Sequence, residues 1–261
     1  MALDQQDTAS AEMPFLDHLE ELRWRIIKSL AALIVTFAVS MWVCTNVDVF
    51  ALLAAPIKPY LHGAPLYYTH PVEKFTILMQ VAVGLALALA SPVVLYQVWA
   101  FLSPAFTAKE RRVVIPVFGF ALLLFASGVA MAVLVFIPIT MKLLEGIKTD
   151  MLAPLLTASE YYGFVITTAL AFGAVFELPV LVLLLTALGL ITPRFMTKYR
   201  RHAFVVLLFI CEVITPGDLI ISTLALFIPV YGLYELSIIV SWFVYRARQR
   251  RLARQAQEPA D

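Results

Sequence analysis

Charge is what this chain has least of. Only 14% of its 261 residues are Asp, Glu, Lys or Arg, against 62% hydrophobic. A soluble domain carries about 25% charged and about 45–50% apolar residues, so this composition excludes one. The apolar runs span nearly the whole length, which also excludes a soluble module on a single anchor. Cysteine is scarce: Cys44 and Cys211 both lie within apolar runs, with no CxxC or Cys/His spacing. A disulfide framework and a zinc site are therefore not expected. There is no P-loop, no GxGxxG, no Ser/His/Asp arrangement and no metal-ligand spacing. Nothing in the motifs calls for an enzyme, a cofactor or a metal. The first 25 residues are polar and acidic and lack an apolar core, so no cleavable signal peptide is expected. The net charge of +1 says little about partners; its distribution says more.

What is present is a series of long apolar runs. A spanning helix needs roughly 20 apolar residues. The runs predict helices over about Ile26–Val47, Phe75–Val98, Val113–Met141 and Tyr162–Ile191. The stretch His202–Tyr245 is too long for one crossing, and TPGD (Thr215–Asp218) is a turn signal near its middle. It divides into a fifth helix, Ala203–Ile214, and a sixth, Leu219 to about Val244. The fifth is shorter than a usual span, which calls for a thinned bilayer or a start among the headgroups. The expected fold is all-α: a polytopic membrane protein of six transmembrane helices with short fifth and sixth helices. An amphipathic N-terminal segment (1–25) precedes the membrane domain (26–245), and a basic tail (246–261) follows it. Two loops, 47–74 and 142–161, are too apolar and too rich in Pro and Tyr to be linkers. They read as a packed cap at the outer surface. No internal repeat of the transporter type is visible.

Lys and Arg set the orientation. One side holds Arg23, Arg25 and Lys28, then Lys109, Arg111 and Arg112, then Arg194, Lys198, Arg200 and Arg201. It also holds the tail bases Arg246, Arg248, Arg250, Arg251 and Arg254, making fifteen. The other side holds four: Lys58, Lys74, Lys142 and Lys148. Both termini are predicted cytoplasmic. The tail RARQRRLAR fits contact with anionic lipid, at about 1 kcal/mol per base. Nucleic acid is a poor partner for a juxtamembrane run.

The acids are fewer and more telling. Glu177 in AFGAVFELPV has sixteen uncharged residues on either side, which puts it near mid-membrane. An acid there costs about 2.5–3.5 kcal/mol on insertion scales. It is either hydrogen-bonded within the bundle or kept for function, and Pro179 permits a kink beside it. In HLEELRWR (His18–Arg25), the residues Phe15, Leu16, Leu19, Leu22 and Ile26 form an apolar helical stripe. His18, Glu21 and Arg25 share another face. Spacing alone leaves Glu21 either a surface partner of Arg25 or a ligand site. In WAFLSPAFTAKERR (Trp99–Arg112), Glu110 either neutralises Arg111 and Arg112 or receives a cation. Asp218 reads as an N-cap of the sixth helix. Glu235 reads as a partner for tail arginines, and Glu212 has no legible partner.

Together FLDHLEELRWRI, PVVLYQVWAFLSPAFTAKERR, FGAVFELPV and TPGD resemble the TatC family, the polytopic subunit of the twin-arginine protein translocase. The resemblance covers essentially the whole chain. It implies a signal-peptide receptor of a bacterial inner-membrane system that exports folded proteins on the proton-motive force. It implies that Glu21 and Glu110 recognise the arginine pair of signal peptides, with Arg23, Phe101 and Pro104 around them. It assigns Pro56 to the periplasmic cap and Glu177 to an intramembrane groove. It implies TatA- and TatB-type single-span partners, docking around Glu212, Thr215, Asp218 and Ser222, and a homo-oligomer within the receptor complex. The chain departs from the family pattern at Gly217 and Ser222, and at Glu212, where an apolar residue is usual. The rival reading is a proton-coupled transporter of a small solute with Glu177 as carrier.

Overall fold

The computed structural model describes residues 4–61, 65–102, 114–145, 156–214 and 221–255. These residues are helical apart from short connections and one isolated β-bridge. Helix α1 runs Asp4–Asn46, α2 Val49–Ala54 and α3 Glu73–Leu102. Helix α4 (Val114–Met131) continues through a π-turn, Ala132–Phe136, into α5 (Ile137–Glu145). Then come α6 (Ala158–Phe176), α7 (Leu178–Leu188), α8 (Pro193–Lys198), α9 (Arg200–Ile214) and α10 (Ile221–Gln255).

Five described segments are long and apolar enough to cross a bilayer: Asp17–Asn46, Glu73–Phe101, Val117–Leu143, Ala158–Ala187 and Thr223–Arg246. Trp42, Leu123, Leu134, Phe209 and Ile228 each stand more than 60% exposed, as side chains do where lipid is the solvent. With 15 residues, α9 is below spanning length, as the apolar run indicated.

Several boundaries differ from the sequence expectation, each for a physical reason. The amphipathic segment and the first span are one continuous helix, since nothing between Glu21 and Ile34 breaks it. The third span carries the π-turn because Pro138 has no N–H for the carbonyl of Leu134 and its ring crowds that carbonyl. The fourth span breaks at Glu177, where Pro179 likewise cannot donate to Val175. The expected short sixth helix is corrected: α10 is 35 residues and takes the basic run Arg246–Arg254 with it. Helix formers such as Arg and Gln continue the turn once the apolar span ends.

Small residues bring the helices together. Along α1 and α3, Ser40, Ala82 and Ala86 are fully buried, and the Thr36 hydroxyl donates to the Ala86 carbonyl at 3.1 Å. Between α7 and α10 the hydroxyls of Thr186 and Ser241 lie 2.8 Å apart, both buried. Without a hydrophobic drive between helices in lipid, such close packing and hydrogen bonds supply the association.

Described residues of the two loops 47–74 and 142–161 touch one another and the helix that follows. Ala158 N–H donates to the Tyr67 carbonyl at 2.7 Å and Tyr67 N–H to Leu156 at 3.2 Å. The Tyr161 hydroxyl donates to the Leu53 carbonyl at 2.7 Å, and that of Tyr162 to Phe50 at 3.1 Å. Pro56 is half-buried in the turn after α2, and the next residue, Ile57, is fully buried. Ile57→Ala should therefore cost about 3 kcal/mol through the cavity it leaves, read as a lowered melting temperature in detergent. A change within error would show the cap to be loosely packed.

Candidate functional site

Helical spacing puts His18, Glu21 and Arg25 on one face of α1, and that face meets the end of α3. Arg25 donates from Nε to Glu21 Oε1 at 3.1 Å and also from Nη2 to the same oxygen. Its third nitrogen, Nη1, reaches Gln97 Oε1 on α3 at 3.5 Å. His18 Nδ1 lies 3.8 Å from the other carboxylate oxygen. The His18 ring stacks on Phe101 with centroids 4.4 Å apart and planes 18° apart. The Arg25 side chain is 19% exposed and that of Glu21 is 33% exposed, so the carboxylate is open to an arriving group. The cluster is thus an acid held at the seam of two helices, with one guanidinium already on it.

Of the expected residues, Glu21 and Phe101 come together here, bridged by His18. Arg23 is exposed and holds no ion pair among the described residues, because a spacing of two from Glu21 turns it to another side of the helix. Pro104 and Glu110 lie outside the described residues. Gln97 is the participant that sequence reasoning missed. Its only signal is its place one helical turn before Phe101.

Glu177 sits between α6 and α7. Its backbone carbonyl accepts from Leu181 N–H at 2.9 Å. Both side-chain oxygens are buried with no hydrogen-bond partner among the described residues. An apolar cavity of about 160 Å³ lies beside the second, third and fourth spans, lined by Leu53, Val81, Gly84, Val133, Val165 and Ile166; Glu177 does not line it.

At the last two helices, Glu212 accepts from the Thr223 hydroxyl at 2.7 Å, tying α9 to α10. Glu235 pairs with Arg200 at 2.8 Å and accepts from the Tyr231 hydroxyl at 3.1 Å. Among the described residues its charged partner is thus Arg200 at the start of α9. Thr215 and Asp218 lie outside the described residues, and Ser222 is placed in α10 by its backbone alone.

This fold and this site define a class: a multi-pass helical membrane protein whose exposed polar chemistry gathers where two spans end. The family model described as "Sec-independent protein translocase protein (TatC)" matches residues 17–229. The chain belongs to the TatC family. It is 32% identical over 243 residues to the Sec-independent protein translocase protein TatCy of Bacillus subtilis (strain 168), covering 93% of this chain and 94% of the relative. It is 34% identical over 240 residues to the TatC protein of Aquifex aeolicus (strain VF5), covering 91% and 98%. It is similar to the crystal structure of the twin arginine translocase receptor TatC, with a TM-score of 0.76 and 32% identity over 87% of this chain and 99% of that one. The chain is therefore a translocase component that works within a protein-translocation complex of Tat subunits, and not an enzyme. The small-solute transporter reading built on Glu177 has no support from these relatives.

Proposed function

We propose that this chain is the receptor for twin-arginine signal peptides in a bacterial inner membrane, with both termini in the cytoplasm. Glu21 and Glu110 each take one guanidinium of the arginine pair, Phe101 and Pro104 shape the surface around them, and Arg23 faces the arriving peptide or the lipid. One observation carries the reading: the Glu21 carboxylate, a third exposed, already holds a guanidinium, two of whose nitrogens donate to one carboxylate oxygen. Arginine offers a planar fork at fixed charge, whereas lysine offers only a point charge. Folded cargo then moves at the expense of the proton-motive force, with TatA- and TatB-type single-span subunits docking along α9 and α10 near Glu212, Thr215, Asp218 and Ser222. Glu177 meets a polar group of the signal or of a partner helix, Pro56 shapes the periplasmic cap, and several copies share one receptor complex.

Photocrosslinking with twin-arginine and twin-lysine signal peptides tests the reading. Labelling by the arginine peptide should exceed that by the lysine peptide about tenfold or more, since a desolvated charge-assisted pair is worth about 1.5–3 kcal/mol. Glu21→Ala with Glu110→Ala should remove the difference. Equal labelling of both peptides by the unaltered chain would sink the proposal.

A further inference from the structure

We propose that Arg25 is a specificity-determining residue: a resident guanidinium that an arriving signal arginine has to displace from Glu21. The inference rests on the reading of Glu21 as a receiving carboxylate and extends it to what occupies that carboxylate beforehand. Three features of the cluster carry it.

First, the contact is a fork. Nε and Nη2 of Arg25 both donate to Glu21 Oε1, so a signal arginine cannot span both carboxylate oxygens until Arg25 leaves that one. Second, Arg25 has somewhere to go. Its Nη1 already reaches Gln97 Oε1 on α3, so a displaced guanidinium keeps an acceptor instead of losing its only partner. Third, the pair is partly withdrawn from solvent, at 19% and 33% exposure, which makes it stronger than an exposed pair on a helix face.

The consequence is a threshold. A guanidinium arriving at Glu21 can span both carboxylate oxygens, where Arg25 holds only one, and so takes the carboxylate from it. An ammonium offers no fork, so it loses to Arg25 and leaves the carboxylate occupied. The discrimination between arginine and lysine at this position thus comes from the competitor within the chain as well as from the carboxylate. His18 faces the other carboxylate oxygen at 3.8 Å and its ring is held by Phe101, so it stays in place when Arg25 leaves.

The test uses the full chain in lipid nanodiscs and fluorescent signal peptides carrying Arg-Arg or Lys-Arg. Arg25→Gln keeps the side-chain length and removes the fork. Its melting temperature is compared with that of the unaltered chain. The variant should bind the Arg-Arg peptide about two- to fivefold more tightly, as expected for release of one partly exposed ion pair. The Lys-Arg peptide should gain by a larger factor, so the ratio between the two peptides narrows. Arg25→Lys should fall between, and it carries the test if the glutamine variant does not fold. A folded variant with an unchanged ratio, or with weaker binding of both peptides, overturns the inference. Glu21→Gln separates this from the underlying reading. If it leaves Arg-Arg binding unchanged, Glu21 is not the receiving group at all. If it weakens binding while the Arg25 variants leave the ratio unmoved, only the displacement inference falls.

Discussion

Gly128→Leu should leave no folded bundle to purify. A Cβ built on Gly128 would stand 2.6 Å from the Phe172 carbonyl oxygen and 2.9 Å from its carbonyl carbon. Both are backbone atoms inside α6, and Phe172 is itself fully buried, so neither can retreat. On the opposite side of the crossing, a Cβ added at Gly173 would stand 2.7 Å from the Phe125 ring. Even Gly128→Ala should cost about 3 kcal/mol, the upper range for forcing one carbon into a packed core. Two other glycines act as controls. Gly119 and Gly232 have nothing within 4 Å of their added carbon, so alanine there should be neutral or slightly stabilising. Gly84 is also tight: its added carbon would stand 2.3 Å from Ile166 Cγ2, which moves only with a χ1 that a β-branched residue in a helix holds in one rotamer. Melting temperatures of these alanine variants in detergent should be lower for Gly84 and Gly128 than for Gly119. A Gly128→Ala variant as stable as Gly119→Ala would show that the third and fourth spans do not cross here.

That crossing marks where sequence reasoning stops. The apolar runs are legible because each has to satisfy its own backbone in lipid, which only a helix can do over such length. Pro179 announces its break by removing a donor, and the short α9 shows in the count of apolar residues before TPGD. Which glycine touches which carbonyl is not legible, since it depends on the rotation of two helices about their axes. The π-turn before Pro138 was open to inference from that proline, yet the apolar run around it carries no trace of an interruption.

The candidate site divides in the same way. Glu21 and Arg25 are four apart on one helix, so their pairing follows from spacing alone. Gln97 is 72 positions from Arg25 and Phe101 is 83 from His18, and only the packing of α1 on α3 joins them. Glu235 illustrates the error that proximity in sequence invites. The tail arginines begin eleven residues on, but the helix carries them straight past it, while Arg200, 35 positions back, is brought alongside by α9. Composition located the acids near the right end of the bundle; tertiary contact chose their partners.

Glu177→Leu should make the protein more stable and stop export. The two carboxylate oxygens of Glu177 are buried and unpartnered among the described residues, at the break between α6 and α7. An acid so placed works against insertion, and its replacement by leucine should recover roughly 2 kcal/mol. A residue kept for the fold would do the reverse, and its loss would lower the melting temperature. The two readings therefore predict opposite signs for one measurement. Export of a twin-arginine reporter supplies the second axis: if Glu177 offers its polar atoms to a signal or partner helix, leucine removes that contact and export falls to background. Glu177→Gln keeps the shape and the hydrogen-bonding oxygen, so retained export in that variant would assign the role to hydrogen bonding, while loss would assign it to the carboxylate. A leucine variant that is less stable and still exports at the normal rate would return Glu177 to the structure. The same logic explains why the break is where it is. Pro179 has no N–H to give the carbonyl of Val175 and interrupts the helix beside the one acid of this span that lies far from both ends, so the cost of the broken turn and the cost of the buried acid fall at one point.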